Sequence, residues 1–424
     1  KMNMKLGLKF LAMIGITLLI SISLMVVRSL INERSNRAQE VRYTLAENSA
    51  GAQTISGPFL IVPYVLEETK NNGGKSDSTT DKTQHLLIFT PEELNSQSQL
   101  KTEIVKRGLF EAPSYTAKNV MTGFFKPNKD ILALQKLDTN QKIVWQKAYV
   151  SLGLQDPKGI REVRASLGNS NLEFEPGHSV NNWVNTATGI HSKIAESSEL
   201  YQQLISQEVS FKIDLELVGT QSFMIDPVGT HSKIDIQGNW PHPSFKGTTP
   251  FSRSVTDKNF AATWKTNDLA RGIALQTCKA DDINCNQAKP YNNLVGLDFI
   301  DPVDRYVLSD RTAKYGELFL ILTFAVLFLM EILRSKPIHP MQYALVGFAT
   351  SVFFLLTLSL SEHVPFFWAY GIAALASVAL QSFYAKAVLQ HKNMSRIFTG
   401  SLLSLYGLLY FILKSEDAAL MVGS

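Results

Sequence analysis

The chain has 424 residues, of which 45% are hydrophobic and 18% charged, and 41 basic against 37 acidic residues give a formal net charge of +4. So small a basic excess gives little support for nucleic-acid binding. A mean hydropathy near zero hides two unlike populations, because five apolar runs accompany one polar block that is about 280 residues long and able to bury its own core.

The first apolar run, Leu6 to Val27, follows three lysines among the first nine residues and is long enough to cross a bilayer. The segment Met25 to Leu30 offers no Ala-x-Ala cleavage site, so we interpret residues 1–30 as an uncleaved anchor helix rather than a signal peptide. Apolar residues recur at helical spacing from Ile31 to Leu45. This spacing predicts that the helix continues and packs its apolar stripe on the polar block.

The polar block, residues 31–311, has the pattern of a β-rich domain. Gly57-Pro58 is expected to end the first helix, and Phe59 to Val65 to form the first strand. Glu67 to Lys82 has few large apolar residues, which predicts a mobile hairpin tip. Further along, apolar and polar residues alternate with period two, and this predicts antiparallel strands that cover one core. The alternation is clearest at residues 172–175, 211–217 and 233–237.

Two cysteines, Cys278 and Cys285, lie in this block. A disulfide between them would close a small loop and, in the chain-entropy model, contribute about 2.5 kcal/mol. The alternative is a pair of metal ligands. The residues between the two cysteines include no histidine and no further cysteine follows, which favours the disulfide.

Four further apolar runs predict a C-terminal membrane bundle over residues 312–424. Its helices are expected at about 316–333, 341–360, 366–389 and 397–413. Asp310 is placed to cap the first of them. Basic residues without acidic ones occur before the anchor, just after residue 333 and around residues 386–396. The positive-inside rule therefore predicts a cytoplasmic amino terminus and an external polar block.

The membrane helices carry neutral polar residues near their middles and no charge there. These residues are Thr323, Thr350, Thr357, Ser377, Gln381 and Ser404. We expect them to hydrogen-bond a neighbouring helix or their own backbone. A proton-coupled pump would normally show a buried carboxylate at this depth.

Six residues are candidate functional or interface positions: Trp240, His242, Glu331, His339, Glu362 and His363. The first two belong to a Trp-Pro-His-Pro turn, which either presents both side chains to a ligand or, as is more common, locks two strand pairs together. The other four form two acid–histidine pairs about 30 Å apart, at opposite ends of one predicted helix, without the His-Glu-x-x-His spacing of a metal site. A plainer role for Glu331 is to snorkel beside Arg334 at the membrane edge.

Four motifs occur in order around the polar block. They are Asn239-Trp-Pro-His-Pro-Ser-Phe245, Ser309-Asp-Arg-Thr-Ala-Lys-Tyr315, His339-Pro-Met-Gln-Tyr343 and Leu360-Ser-Glu-His363. Together they resemble the CreD family of inner-membrane proteins, over essentially the whole chain. The resemblance implies a cell-envelope integrity protein of Gram-negative bacteria, produced under the Cre two-component system and associated with colicin tolerance and cell-wall stress. It implies no defined reaction. It also implies one more helix after residue 418, and the sequence begins with Lys1 instead of an initiator methionine. The sequence is therefore expected to be trimmed at both ends.

We therefore predict a polytopic α-helical protein of the bacterial inner membrane, with a large β-rich (α+β) periplasmic domain inserted between its first and second transmembrane helices. It would support envelope integrity non-enzymatically, without a cofactor or metal, as a binding or scaffold module. Its partners would be the lipid bilayer and a periplasmic protein, inner-membrane protein or cell-wall component, and a homo-oligomer is compatible with the sequence. The alternative is a lipid-handling or membrane-embedded hydrolytic protein with a site between the transmembrane helices.

Overall fold

The computed structural model describes residues 2–48, 50–71, 78–108, 110–126, 141–145, 147–177, 186, 188–194, 207–267, 277–279, 294–299, 305–334, 338–389 and 392–423. Within them the chain forms one long helix, eighteen strands and then five further helices. The helices are α1 (Met2–Asn48), α2 (Arg305–Lys314), α3 (Gly316–Arg334), α4 (Pro340–Ser361), α5 (Phe366–Leu389) and α6 (Lys392–Gly423). The strands are β1 (Gln53–Asn71), β2 (Ser78–Phe89), β3 (Glu93–Arg107), β4 (Phe110–Phe125), β5 (Gln141–Trp145), β6 (Tyr149–Leu154), β7 (Ile160–Leu167), β8 (Ser170–Leu172), β9 (Glu175–Pro176), β10 (Thr188–Lys193), β11 (Val209–Thr220), β12 (Ser222–Asp226), β13 (His231–Gly238), β14 (Pro243–Lys246), β15 (Ser252–Val255), β16 (Phe260–Asn267), β17 (Thr277–Lys279) and β18 (Val295–Phe299).

The chain divides into two compact units. The helical unit comprises residues 1–41, 107–110 and 301–424, and the β-rich unit comprises residues 42–106 and 111–300.

The β-rich unit contains two sheets. One has eight strands in the order β15-β16-β13-β3-β4-β11-β7-β8. The other has ten, with the path β14-β18-β12-β1-β6-β10-β9 and with β2, β5 and β17 attached through β1 and β2. In β11 the odd-numbered residues from 209 to 217 are buried and the even-numbered residues between them are not. The predicted strands are confirmed for residues 211–217 in β11 and for residues 233–237 in β13. The prediction is wrong for residues 172–175, because β8 ends at Leu172 and β9, which belongs to the other sheet, begins at Glu175.

Both sheets bury apolar side chains in one shared core. Tyr115 of β4 lies between the sheets, with its ring centroid 5.8 Å from that of Phe223 and 4.8 Å from that of Phe299. The Tyr115 hydroxyl donates a hydrogen bond to the carbonyl of Ser222 at 2.6 Å. Burial raises the pKa of the Tyr115 phenol, so the hydroxyl keeps its proton and remains a donor. The unit is thus a sandwich of two sheets joined by an aromatic contact.

Three details of the β-rich unit differ from the prediction. β1 pairs in parallel with β12, and β3 pairs in parallel with β13, so the expectation of purely antiparallel strands is wrong for these pairs. Gly57-Pro58 lies inside β1 and does not end α1. The register between β1 and β6 shifts there, and Gly57 has a φ of 120° that favours glycine, so the dipeptide marks a strand irregularity.

The loop of the hairpin formed by β1 and β2 is shorter than predicted. The two strands pair continuously from Leu60 and Phe89 to Asn71 and Ser78. Only residues 72–77 of the expected tip remain, and they lie outside the described residues. The threonines at positions 79, 80 and 83 favour extended backbone, which explains the longer strands.

Five helical segments are long and apolar enough to cross a membrane, as predicted. They are Leu11–Val41, Gly316–Leu333, Pro340–Ser361, Phe366–Lys386 and Asn393–Lys414. Ile31 and Ala38 of α1 are buried in the same core as Tyr306 and Leu308. At these two positions α1 therefore packs helix against helix, on residues near the carboxyl end of the predicted polar block, residues 31–311.

Two helix boundaries in the helical unit also differ from the prediction. Asp310 lies within the separate short helix α2, where it pairs with Lys314 at 3.1 Å, and does not cap α3. α6 continues without a break past residue 413, where the last predicted helix was expected to end, and reaches Gly423. Residues 414–422 contain neither glycine nor proline, so nothing in this stretch interrupts a helix.

Candidate functional site

A concave surface lies on the outer face of the eight-stranded sheet, across the adjacent strands β15, β16, β13, β3, β4 and β11. It consists of two adjoining hollows with volumes of about 690 and 960 Å³. We call this surface the polar hollow. Both parts of it are lined by Gln99, Lys118, Gln237, Ser254 and Ala261. Because side chains alternate along a strand, β3 buries Ser98 and Leu100 in the core and exposes Gln97 and Gln99 in the hollow.

The polar hollow is electrically balanced. Its charged lining residues are the basic Lys101, Lys118 and Arg253 and the acidic Glu103, Glu216 and Asp235. Lys101 lies 2.9 Å from Glu103, and Lys118 lies 3.6 Å from Glu216. The hydrogen bond from Lys101 lowers the pKa of the Glu103 carboxyl and raises the pKa of the Lys101 amine, so this pair stays charged together near neutral pH.

The amino-acid sequence alone does not predict the polar hollow. Its central residues come together because β3 pairs in parallel with β13, which sets Gln97 beside Asp235 and Gln99 beside Gln237. No local pattern predicts a pairing across more than a hundred residues. One signal was available in the sequence: residues 95–99 read Asn-Ser-Gln-Ser-Gln, five consecutive polar residues without a single charge.

The Trp-Pro-His-Pro turn connects β13 of the eight-stranded sheet to β14 of the ten-stranded sheet. Trp240 is buried, its ring stands edge-on to that of Phe299 at 5.9 Å, and its Nε1 donates to the carbonyl of His242 at 3.1 Å. Asn239 donates to the carbonyl of Thr102 and accepts from its backbone N–H, at 3.0 and 2.6 Å. The turn therefore joins the two sheets, and the His242 side chain is exposed beside it.

In the helical unit, two arginines of α1 pair with acidic residues of later helices. Arg28 Nε lies 3.7 Å from Asp310 Oδ1, and Arg34 Nε lies 3.8 Å from Glu362 Oε1. The Glu362 side chain is only 10% exposed, so its charge is held against α1 rather than in open solvent. Glu362 thus has a structural role in binding α1 to α4.

His339 and Glu331 lie at the other end of α4. His339 is the N-cap of α4: its Nδ1 accepts from the backbone N–H of Met341 at 3.2 Å, and the Gln342 side chain accepts from the His339 N–H at 3.1 Å. Glu331 accepts a hydrogen bond from the hydroxyl of Tyr343 at 2.9 Å. The two hydrogen bonds between His339, Met341 and Gln342 form a capping box, which satisfies N–H groups that the first helical turn leaves unpaired.

The structure does not bring the two acid–histidine pairs together. The 22 residues of α4 separate them by about 33 Å at helical rise. His363 is exposed, and its Nδ1 lies 3.2 Å from the carbonyl of Ser359, one turn earlier.

Replacing His339 with alanine should remove the cap of α4 and lower the free energy of unfolding of the helical unit by about 1 kcal/mol. Replacement with asparagine, a good N-cap residue, should restore most of that loss. Thermal unfolding of the purified chain in detergent measures both effects. A catalytic or metal-binding histidine would behave differently: neither variant would then support envelope function in cells, whatever its stability.

A buried polar network connects α5, α6 and α4. The Ser377 hydroxyl donates to the carbonyl of Ala349 at 3.2 Å and lies 2.8 Å from the Tyr406 hydroxyl. Gln381 donates to Ser377 at 2.9 Å and to the Tyr406 hydroxyl of α6 at 3.4 Å. Tyr370 donates to the carbonyl of Tyr406 at 2.7 Å. The threonines at 323, 350 and 357 each donate to the carbonyl four residues earlier. The predicted pairing of these polar residues with a neighbouring helix or their own backbone is confirmed for these five positions.

Among the described residues, no three histidine, cysteine, aspartate or glutamate side chains are grouped so that they could hold a metal ion. Cys278 lies on β17, and Cys285 lies outside the described residues. The disulfide between them therefore stays a prediction.

A family model and one relative both match this chain over nearly its whole length. The family model described as "Inner membrane protein CreD" matches residues 5–424. The inner membrane protein CreD of Escherichia coli (strain K12) is 29% identical over 423 residues, which are 98% of this chain and 89% of that protein. Among solved structures, the InvG secretin domain β-barrel from the Salmonella SPI-1 injectisome NC-base aligns with 8% identity over 41% of this chain and 64% of that chain. Its TM-score of 0.07 carries no argument about the fold.

Proposed function

Because this chain belongs to the CreD family of inner membrane proteins, we propose that it supports the integrity of the cell envelope by presenting its β-rich domain in the periplasm as a non-enzymatic binding module. The polar hollow would be the contact surface, and a glycan strand of the cell wall would be its ligand. The observation that carries the proposal is the hollow itself. It is a concave surface on the outer face of the sheet, and its basic and acidic side chains are equal in number.

The distribution of charge supports a periplasmic address for the domain. Basic residues without acidic ones occur at the start of α1, at the last residue of α3 and just after it, and at the facing ends of α5 and α6. They are Lys1, Lys5, Lys9, Arg334, Lys336, Lys386, Lys392 and Arg396. At the other ends of these helices, Arg28 and Arg34 lie against Asp310 and Glu362. Basic residues without acidic neighbours favour the cytoplasmic side of a membrane, so the opposite end, from which the β-rich domain continues, would be periplasmic.

The chemistry of the lining supports a neutral, hydroxyl-rich and amide-rich ligand. Gln97, Gln99 and Gln237 each offer two N–H donors and one carbonyl acceptor, and the hydroxyls of Ser254 and Thr256 can both donate and accept. Three basic and three acidic residues leave no net charge to attract a strongly anionic or cationic polymer. A cell-wall glycan matches this lining, because its sugar hydroxyls and acetamido groups are neutral donors and acceptors.

We expect the full-length protein in lipid nanodiscs to co-sediment with purified cell-wall sacculi. Replacing both Gln97 and Gln237 with alanine should weaken this binding by about 2 kcal/mol, or roughly 30-fold, because each amide contributes about 1 kcal/mol through its hydrogen bonds. Co-sedimentation at increasing protein concentration gives the two dissociation constants.

The matched control is the double replacement of Lys212 and Asp214 with alanine, since this exposed pair lies on β11 of the same sheet and does not line the hollow. It should bind sacculi as the unaltered protein does. Equal loss in both variants, or no binding by the unaltered chain, contradicts the proposal. So does a β-rich domain that resists protease added outside intact spheroplasts but is cut after their lysis, because the domain would then be cytoplasmic.

A further inference from the structure

The hairpin formed by β3 and β4 extends beyond the sheet that contains it. The ladder between β3 and β13 ends at Leu100, and the ladder between β4 and β11 begins only at Ser114. β3 and β4 are hydrogen-bonded neighbours in the sheet. Among the described residues, no further strand pairs with the last residues of β3 or with the first four of β4. Four residues at about 3.3 Å each make an extension of roughly 13 Å. We call the described residues of this extension, 103–108 and 110–111, the hairpin tip.

The side chains of the hairpin tip have an unusual pattern for a strand. Ile104 is 55% exposed and Val105 is 41% exposed. Neighbouring residues of a strand point to opposite faces, so the tip presents an apolar side chain on both of its faces. A strand with one wet face would alternate, as β13 does. Apolar groups on both faces fit surroundings that are themselves partly apolar, and Leu109 and Phe110 continue this character in the sequence.

The hairpin tip projects from the end of the β-rich unit at which the chain enters and leaves. Thr220, which pairs with Ser114, bonds the backbone of Ala50 and Gly51, the residues that follow α1. The next residue, Gln221, accepts from the N–H of Phe299, after which five residues lead to α2. The tip therefore lies at the end of the domain that the two connecting segments join to the helices of an inner membrane protein.

We propose that the hairpin tip inserts into the head-group region of the bilayer that holds the helices. Ile104 and Val105 would enter the boundary between head groups and acyl chains, where apolar side chains leave water. Lys106 lies 2.8 Å from Glu111, so these charges can stay paired at that depth. Residues 101–111 hold three basic and two acidic side chains, which suits an anionic surface. The tip would thus be a second membrane contact, independent of any ligand in the polar hollow.

The test uses the full-length chain in nanodiscs of phosphatidylethanolamine and phosphatidylglycerol, with a photoreactive phenylalanine derivative at position 104 or 105. A chain with the same group at position 255 is the control, because Val255 is also exposed on the eight-stranded sheet but belongs to the edge strand β15. After irradiation, mass spectrometry should find lipid adducts at 104 and 105 at about tenfold the yield at 255. The chain that carries the photoreactive group at position 105 should lose most of its lipid adducts when Ile104→Asp is added. It should keep them when Val255→Asp is added.

Adduct yields at 104 and 105 no higher than at 255 would overturn the proposal. Adducts formed only with peptides of the same chain would overturn it as well, since the tip would then dock on protein. The proteolytic pattern of each labelled chain must match that of the unaltered protein. Binding to sacculi is not part of the readout, so the tip can be a lipid contact whether or not the hollow binds glycan.

Discussion

Replacing Gln53 with leucine should lower the free energy of unfolding of the β-rich domain by about 3 kcal/mol, a large part of the total for a typical domain. Gln53 is fully buried at the start of β1. Its Nε2 donates to the carbonyls of Asp156 and Val218 at 2.9 and 3.0 Å, and its Oε1 accepts from the Asp156 N–H at 3.4 Å. Leucine fills similar space but would leave these backbone groups buried without partners.

We call the hydrogen bonds that join Gln53, Asp156 and Val218 the clamp. It also holds the residues that follow α1. The Asp156 carboxylate accepts from the Gly51 N–H at 3.0 Å and from the Lys158 N–H at 3.1 Å. Gly159 packs so closely that an added Cβ would collide with Gln53 Nε2 and with the carbonyl of Val218. Gly159→Ala should therefore destabilise the domain as well, by displacing the glutamine rather than removing it.

Urea titration of the full-length chain in detergent, followed by a brief protease pulse, measures the stability of the domain. Gln97→Leu is the control, since Gln97 is exposed on the outer face and the same substitution there should change stability by less than about 0.5 kcal/mol. Equal urea midpoints for Gln53→Leu and Gln97→Leu would show that the clamp contributes nothing measurable.

Replacing Gly347 with leucine should destabilise the helical unit by about 3 kcal/mol, equivalent to roughly 6 to 12 °C in its apparent Tm. Gly347 lies where α4 meets α1 and α3. A Cβ at this position would collide with Ile20 Cδ1 and would lie 2.9 Å from Phe324 Cζ and 3.2 Å from Leu320 Cδ1. Small residues permit close helix contact in membranes, so a leucine must push α1 and α3 away.

Gly407→Leu in α6 is the matched control, because a Cβ at Gly407 would meet no atom within 4 Å. Both variants place the same side chain on a membrane helix, so any general effect of leucine on helicity or on detergent binding is shared. Thermal unfolding followed by size-exclusion chromatography should show a lower Tm for Gly347→Leu alone. If the two variants melt together, close packing at Gly347 is not what holds these helices.

Several features were predictable because their signals are local. The apolar runs of α1 and α3 to α6 needed only their length and composition, and the alternation of residues 211–217 needed only a period of two. The misplaced features were local in appearance but set by context. Gly57-Pro58 has the composition of a helix stop, yet pairing with β6 and β12 places it within a strand.

The chain order of residue types is sufficient to establish the five apolar helices, the β-rich character of the block and the family, because hydrophobicity and period are properties of neighbouring residues. The polar hollow, the clamp around Gln53 and the close approach at Gly347 depend on contacts between residues far apart in sequence. Such contacts arise when strands and helices choose partners to bury their apolar faces together. That choice is made by the packing of the whole domain, and no single segment encodes it.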